Sequence, residues 1–124
     1  MTNERKHKMY QKTEMSDTSR QSFLSETFKY RIVVSLVTTG TEKQIDYANS
    51  LKVLAMQEVD RFSVNFLKRV AANKQTQFET WRNDLLSAID ADTDARQVLD
   101  KLADVRMDIE DIMTAYNILP QQYA

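Results

Sequence analysis

The chain has no cysteine, and it has one histidine, one glycine and one proline among its 124 residues. The missing cysteine excludes disulfide bonds and thiolate metal ligands, which fits a reducing compartment. His7 alone cannot supply a Ser/His/Asp or Cys/His catalytic arrangement, and the isolated Gly40 cannot form a glycine-rich phosphate loop. We therefore predict no catalytic residues, no metal site and no cofactor. The scarcity of glycine and proline also argues against a fold rich in β-turns and favours a few long helices.

Long apolar runs are missing as well. The longest, over residues 32–37, is far shorter than the roughly 20 residues of a membrane-spanning helix. No apolar segment follows the basic N-terminus as it would in a secretory signal. We expect a cytoplasmic protein that does not enter a membrane. The hydrophobic fraction of 42% is sufficient for the core of a single small domain.

The net charge of −1 conceals a gradient along the chain. Residues 1–40 carry seven Lys/Arg against four Asp/Glu, a balance of +3, and residues 41–89 carry seven against six, a balance of +1. Residues 90–124 carry three against eight, a balance of −5. A basic head and an acidic tail either bind each other or face partners of opposite charge.

Residues 1–22 are polar and show no hydrophobic period, so we predict a mobile basic arm. Nucleic-acid contact is one hypothesis for this arm, together with basic residues near the end of the first long helix. The residues proposed for that contact are Arg5, Lys6, Lys8, Lys68 and Arg69. The alternative is a solvated tail, and the sequence pI of about 5.8 makes nucleic acid the less favoured partner.

Residues 28–37 alternate between apolar and mixed positions, which predicts one β-strand buried on one face. The residues proposed for strand pairing are Tyr30, Ile32, Val34 and Leu36. No second strand is recognisable, and a lone strand leaves its peptide groups unpaired. The segment therefore pairs with its own copy in a homodimer, or adds to the sheet of another protein, or is instead a helix over 22–37. Residues 23–40 are thus a strand or short helix followed by a connector.

The remainder of the chain, residues 41–120, predicts an antiparallel three-helix bundle, followed by a short tail over 121–124. The Thr41 hydroxyl and the Gln44 side chain form a capping box that begins a helix extending to about Asn73. A second helix is predicted over 75–90, with Trp81 in the core. Apolar residues spaced by three and four from Ala95 onward predict one last helix with a coiled-coil seam, ended by Pro120.

Four aspartates of that last helix are spaced by four, four and three residues, which places them on one helix face. They are Asp100, Asp104, Asp108 and Asp111. Like charges at this spacing destabilise a helix slightly, so one hypothesis is an acidic face that contacts a basic groove on a protein partner. The alternative is a solvated face, or one paired with basic residues of the first helix.

Residues 40–48 read Gly-Thr-Glu-Lys-Gln-Ile-Asp-Tyr-Ala and are followed by Leu51 and Lys52. This segment resembles the helix start of small, mainly uncharacterised proteins from bacteria, phages and mobile elements, which reads roughly Gly-Ser/Thr-Glu-Lys-Gln-Ile/Val. Tyr47 stands where tryptophan is frequent in those proteins. The resemblance implies a phage or mobile-element origin, and small acidic helical proteins of that origin are often inhibitors of host defence.

We therefore expect a non-enzymatic binding protein of phage or mobile-element origin that occludes a host protein. The most specific version of this hypothesis is an anti-CRISPR or anti-restriction inhibitor that binds through the acidic face. The first alternative is a structural or assembly protein that self-associates through 28–37 and the coiled-coil seam. The second alternative is a nucleic-acid-binding accessory protein that uses the basic arm.

Overall fold

The structure is a computed structural model that describes residues 21–124. A two-stranded hairpin, β1 (Gln21–Leu24) and β2 (Arg31–Val34), precedes helices α1 (Glu42–Leu67), α2 (Gln75–Ala91), α3 (Ala95–Leu102) and α4 (Ile109–Tyr116). Short 3-10 turns occupy Ala72–Lys74 and Pro120–Tyr123. The prediction of a mainly helical protein is confirmed. The predicted contacts at Arg5, Lys6 and Lys8 lie outside the described residues.

Helix α1 begins where the capping box places it. The Thr41 hydroxyl accepts from the Gln44 N–H at 3.2 Å, and Gln44 Oε1 accepts from the Thr41 N–H at 3.1 Å. The prediction that this helix extends to Asn73 is wrong, because α1 ends at Leu67. The exposed Lys68 and Arg69 follow, and after the 3-10 turn α2 packs against α1. This reversal brings Phe78 of α2 against α1 and buries it.

The predicted last helix is two helices, so the described residues contain four helices in place of the predicted three. Helix α3 ends at Leu102, and Met107 takes a left-handed conformation with φ of 66° before α4 begins. Asp108 is the N-cap of α4, and its carboxylate accepts from the Asp111 N–H at 2.9 Å. Aspartate is more favourable at a cap than within a helix, so the chain restarts there. The apolar spacing of three and four residues continues across the break because both helices bury residues such as Leu102 and Ile112 in one core.

The hairpin corrects the prediction of an unpaired strand. The strand is observed over Arg31–Val34 only, and its antiparallel partner is β1 of the same chain, with Phe23 opposite Ile32. The helical alternative over 22–37 is wrong. The two strands are joined by a turn in which Lys29 has φ of 65°, although no glycine marks that turn. The sequence does not indicate β1, because the strand is only four residues long and its first two residues fall within the polar segment 1–22.

Polar side chains of the helices hold this hairpin in place. Asp60 of α1 accepts from the Ser25 hydroxyl at 2.7 Å and from the Glu26 N–H at 2.7 Å. Asp90 of α2 accepts from both the N–H and the hydroxyl of Ser35, at 2.7 and 3.0 Å. An isolated two-stranded hairpin is marginally stable in water. These carboxylates, with the buried faces of the strands, therefore supply the support that a larger sheet would otherwise give.

The connector from the hairpin to α1 crosses closely over the start of α3. Thr39 forms a parallel bridge with Asp94, and the Ala95 N–H donates to Thr39 O at 2.8 Å. Gly40 follows with φ of 140°, and a Cβ there would lie 2.7 Å from Ala95 Cβ. Glycine is required at this position for both reasons. The contact joins the N-terminal and C-terminal parts of the core.

Candidate functional site

The predicted acidic face is rearranged by the break between α3 and α4. Asp100 is exposed on α3, Asp104 is exposed in the connection, and Asp108 and Asp111 belong to the start of α4. The four carboxylates therefore do not form a single helical stripe. Asp100 and Asp111 do line one surface concavity of about 430 Å³, to which Glu110 also contributes.

Two of these four aspartates have structural roles. Asp108 caps α4, and Asp111 accepts from the Arg106 N–H at 3.1 Å. The Arg106 guanidinium lies 3.4 Å from Asp108 and 4.0 Å from Asp111, at an exposed position. Exposed pairs of this kind contribute little free energy. Asp100 and Asp104 are consequently the two members of the set that remain available to a partner.

A second candidate surface is the outer edge of the hairpin. Within residues 21–124 the sheet contains only β1 and β2, so each strand has one edge without a neighbouring strand. The Ser25 N–H donates to Tyr30 O at 2.9 Å, which identifies a hydrogen-bonded pair. Because hydrogen-bonded and non-hydrogen-bonded pairs alternate along the ladder, the peptide groups of Ser22 and Leu24 point away from β2. β1 therefore presents outward N–H and C=O groups that can pair with an added strand.

A groove with a mixed apolar and charged lining lies beside this edge. Leu24 of β1 is 63% exposed and Leu54 of α1 is 51% exposed, and both line a concavity of about 330 Å³. Scattered exposed leucines are normal in folded proteins, whereas these two line one concavity beside a strand edge. We call this surface the β1 edge groove. Its lining comprises Phe23, Leu24, Glu26, Leu54, Gln57, Glu58, Asp60 and Arg61.

The charged side chains of the β1 edge groove differ in whether they have a partner within residues 21–124. Asp60 is buried and committed to the hairpin, and Glu58 forms an ion pair with Arg61. Glu26 is exposed, and its carboxylate has no cationic partner among residues 21–124. The groove therefore combines two exposed leucines, a strand edge and one carboxylate that has no ion pair within residues 21–124.

Lys52 forms a buried polar cluster that is structural. Its side chain is fully buried, and Nζ donates to Ser35 O at 2.7 Å and to Asp90 O at 2.9 Å. Burial lowers the pKa of Lys52, while the nearby Asp90 and Asp92 act in the opposite direction. Asp92 in turn accepts from Lys101 and from the Tyr116 hydroxyl. Because Lys52 is enclosed and donates to the carbonyls of Ser35 and Asp90, it joins the residue after β2 to α2 and cannot contact a substrate.

Two of the basic residues proposed for nucleic-acid contact lie within the described residues. Lys68 and Arg69 are exposed just beyond α1. Arg82 of α2 is buried, with its guanidinium 4.9 Å from the centre of the Phe28 ring. Trp81 is buried, as predicted, and its indole N–H donates to Ile118 O at 2.9 Å. Within residues 21–124, Arg82 and Trp81 therefore do not add to the exposed pair Lys68 and Arg69, and nucleic-acid contact stays a prediction.

The residues proposed for strand pairing pack against other residues of this chain. Ile32 and Val34 are buried in β2, Leu36 is half-buried, and Tyr30 stacks on Phe28 with ring centres 5.8 Å apart. The exposed Leu24 and Leu54 were not proposed. Leu54 carried a usable signal, because it is a large apolar residue outside the apolar stripe of its helix.

Among residues 21–124, no group of three or more His, Cys, Asp or Glu side chains is arranged to hold a metal ion. None of the helices in this part of the chain is both long enough and apolar enough to cross a membrane. No family model matches the chain, and comparisons with curated proteins and with solved structures give no significant match.

Proposed function

We propose that this chain is a non-enzymatic binding protein that occludes a protein partner through the β1 edge groove. The observation that carries the proposal is the open edge of β1 beside the exposed Leu24 and Leu54. An extended segment of the partner adds to β1 as a third strand, and its peptide groups pair with those of Ser22 and Leu24. An apolar side chain of that segment packs between the two leucines.

The residues of the groove also indicate which kind of partner segment would fit it. The Glu26 carboxylate at the rim, which has no ion pair within residues 21–124, favours a basic residue next to the apolar anchor. The resemblance of residues 40–48 to phage and mobile-element proteins supports a host protein as the partner. Inhibition of a host defence system, such as an anti-CRISPR or anti-restriction activity, is the specific form of this proposal.

A matched pair of proline substitutions tests the strand addition. Ser22→Pro removes an outward N–H of β1, whereas Val33→Pro removes an outward N–H from the opposite edge, on β2. Proteins captured from a host lysate are compared by quantitative mass spectrometry between wild type and both variants, after circular dichroism shows that each variant is folded. We expect one partner to be lost with Ser22→Pro and retained with Val33→Pro.

The second step uses the purified partner. Hydrogen–deuterium exchange of the complex should show protection of the Ser22 and Leu24 amides, and Leu54→Glu should weaken binding by at least roughly tenfold, the equivalent of about 1.4 kcal/mol. If every captured protein responds equally to the two proline variants, the β1 edge is not the binding site.

Self-association through the same edge is the second candidate function. The outward groups of Ser22 and Leu24 are self-complementary, because two copies of β1 related by a two-fold axis at Phe23 would pair them reciprocally. Size-exclusion chromatography with light scattering decides between the candidates. A dimer that Ser22→Pro converts to a monomer supports assembly, and a monomeric wild type excludes it.

A further inference from the structure

β1 and α1 run in the same direction on the two sides of the β1 edge groove. The Gln21 side chain, at the start of β1, donates to Asn49 Oδ1 at 2.9 Å. The Ser25 hydroxyl, just past the end of β1, donates to Asp60 Oδ1 at 2.7 Å, further along α1. A strand added to the free edge of β1 therefore lies along α1, which contributes residues such as Leu54 to the opposite wall.

The exposed face of α1 continues beyond the groove. Tyr47, Leu54 and Arg61 follow one another at intervals of seven residues, which places them on one side of the helix. Tyr47 and Leu54 are both 51% exposed, and at 1.5 Å per residue they lie about 10 Å apart along the helix axis. Only Leu54 and Arg61 line the groove, so Tyr47 extends its apolar part toward the end where β1 begins.

The charged side chains lie at the opposite end of the groove. Glu26 follows β1 at its rim, and its carboxylate has no ion pair within residues 21–124. Glu58 pairs with Arg61 on the α1 wall, and Asp60 is bound to the hairpin. The negative charge of Glu26 favours a basic residue of the occupant at this end, whereas the surface toward Tyr47 favours apolar residues.

The alternation of side chains along β1 determines which residues of an added strand face α1. Phe23 is buried, and its neighbours Ser22 and Leu24 point to the other face of the hairpin. A residue directly opposite Phe23 shares its face and packs on Leu54. The next residues on that face lie two and four positions along, at about 7 and 14 Å, and these distances bracket the separation of Leu54 and Tyr47.

We propose that the partner segment runs antiparallel to β1 and carries one basic residue N-terminal to two apolar residues. This inference rests on the proposed function, since it describes the strand that is added to β1. β1 already pairs antiparallel with β2, and antiparallel pairing is the more stable arrangement per residue. In this direction the residue level with Glu26 lies three positions before the apolar anchor opposite Phe23. The second apolar residue, which contacts Tyr47, lies two or four positions after that anchor.

Selection of peptides from a displayed random library, with the full chain as target, tests this order. The selected peptides that protect the Ser22 and Leu24 amides from hydrogen exchange are sequenced. We expect a basic residue three positions before the first of two apolar residues. The reverse order, or no common order, would overturn the inference and leave strand addition intact. If no peptide protects these two amides, strand addition itself is refuted, and the inference with it.

Two substitutions on the protein assign the two ends of the peptide. With Glu26→Lys as the target, the selected peptides should carry an acidic residue in place of the basic one. Glu79→Lys, at an exposed position of α2, is the matched control and should leave the selected sequences unchanged. An unchanged basic residue with Glu26→Lys would contradict the assignment of Glu26.

A double-mutant cycle tests the contact with Tyr47. Replacement of the second apolar residue of a selected peptide by serine should weaken its binding to the wild type by roughly tenfold. The same replacement should have little effect on binding to the Tyr47→Ser variant, because the contact is already lost there. Equal losses with both proteins would exclude Tyr47 from the binding surface and overturn this part of the inference.

Discussion

Replacement of the buried Lys52 by methionine tests the account of how the hairpin is attached. Its ammonium group donates to Ser35 O at 2.7 Å and to Asp90 O at 2.9 Å, and these carbonyls belong to the end of the hairpin and the end of α2. Lys52→Met keeps the length and apolar stem of the side chain. The substitution removes both bonds and leaves two carbonyls without this donor.

The size of the effect follows from two opposing contributions. Hydrogen bonds from a charged donor are worth about 1.5–3 kcal/mol each, which gives about 3–6 kcal/mol for the pair. Removal of a buried ammonium also relieves the unfavourable desolvation that lowers the pKa of Lys52. We therefore predict that the free energy of unfolding falls by about 2–4 kcal/mol.

Urea unfolding followed by circular dichroism measures this difference. Lys43→Met, at an exposed position of the same helix, is the matched control and should change stability by less than about 0.5 kcal/mol. Hydrogen exchange should also show the largest loss of protection in the hairpin. A Lys52→Met variant as stable as the wild type would refute the reasoning, because desolvation would then outweigh both hydrogen bonds.

Three further outcomes are expected. Gly40→Ala should lower stability by at least about 1 kcal/mol in urea unfolding, because the new Cβ meets Ala95 at 2.7 Å and φ is 140°. Burial and a hydrogen-bonded carboxylate raise the pKa of Tyr123 from 10.0 to about 12, so its contribution to stability is present below pH 10 and lost as pH rises through 12. Urea midpoints should fall less over that range in Tyr123→Phe than in the wild type, and an identical fall would contradict this. Reversal of Asp100 and Asp104 to arginine should leave stability within about 0.5 kcal/mol, since both are exposed. Unchanged affinity and salt dependence for a captured partner would exclude them as contacts.

The sequence predicts best those features that depend on neighbouring residues. The start of α1 follows from Thr41 and Gln44, which satisfy each other's backbone groups within one turn. The burial of Trp81 follows from helical periodicity in α2. The break before α4 does not follow from the apolar spacing, because the same spacing suits one helix or two helices that contribute to one core. Asp108 was assigned to a face, although its side chain also made it a good cap.

The hairpin and the candidate sites depend on contacts between distant parts of the chain. β1 is recognisable only once Asp60 and Asn49 of α1 are seen to bind the segment around it. The exposure of Leu24 likewise depends on the strand register. The sequence predicts that Asp100 and Asp104 carry charge. It does not predict their positions relative to each other, because these depend on the break between α3 and α4.

The helices hold the hairpin largely by its main chain. Asp60 and Asp90 accept from the N–H groups of Glu26 and Ser35, and such bonds persist whatever side chain those positions carry, proline excepted. The side chains of the face turned away from the core are thus free to be exchanged without detaching the strands. They are Ser22, Leu24, Arg31 and Val33. Binding preference at this face can therefore diversify, by natural drift or in a designed library, while the scaffold beneath stays constant.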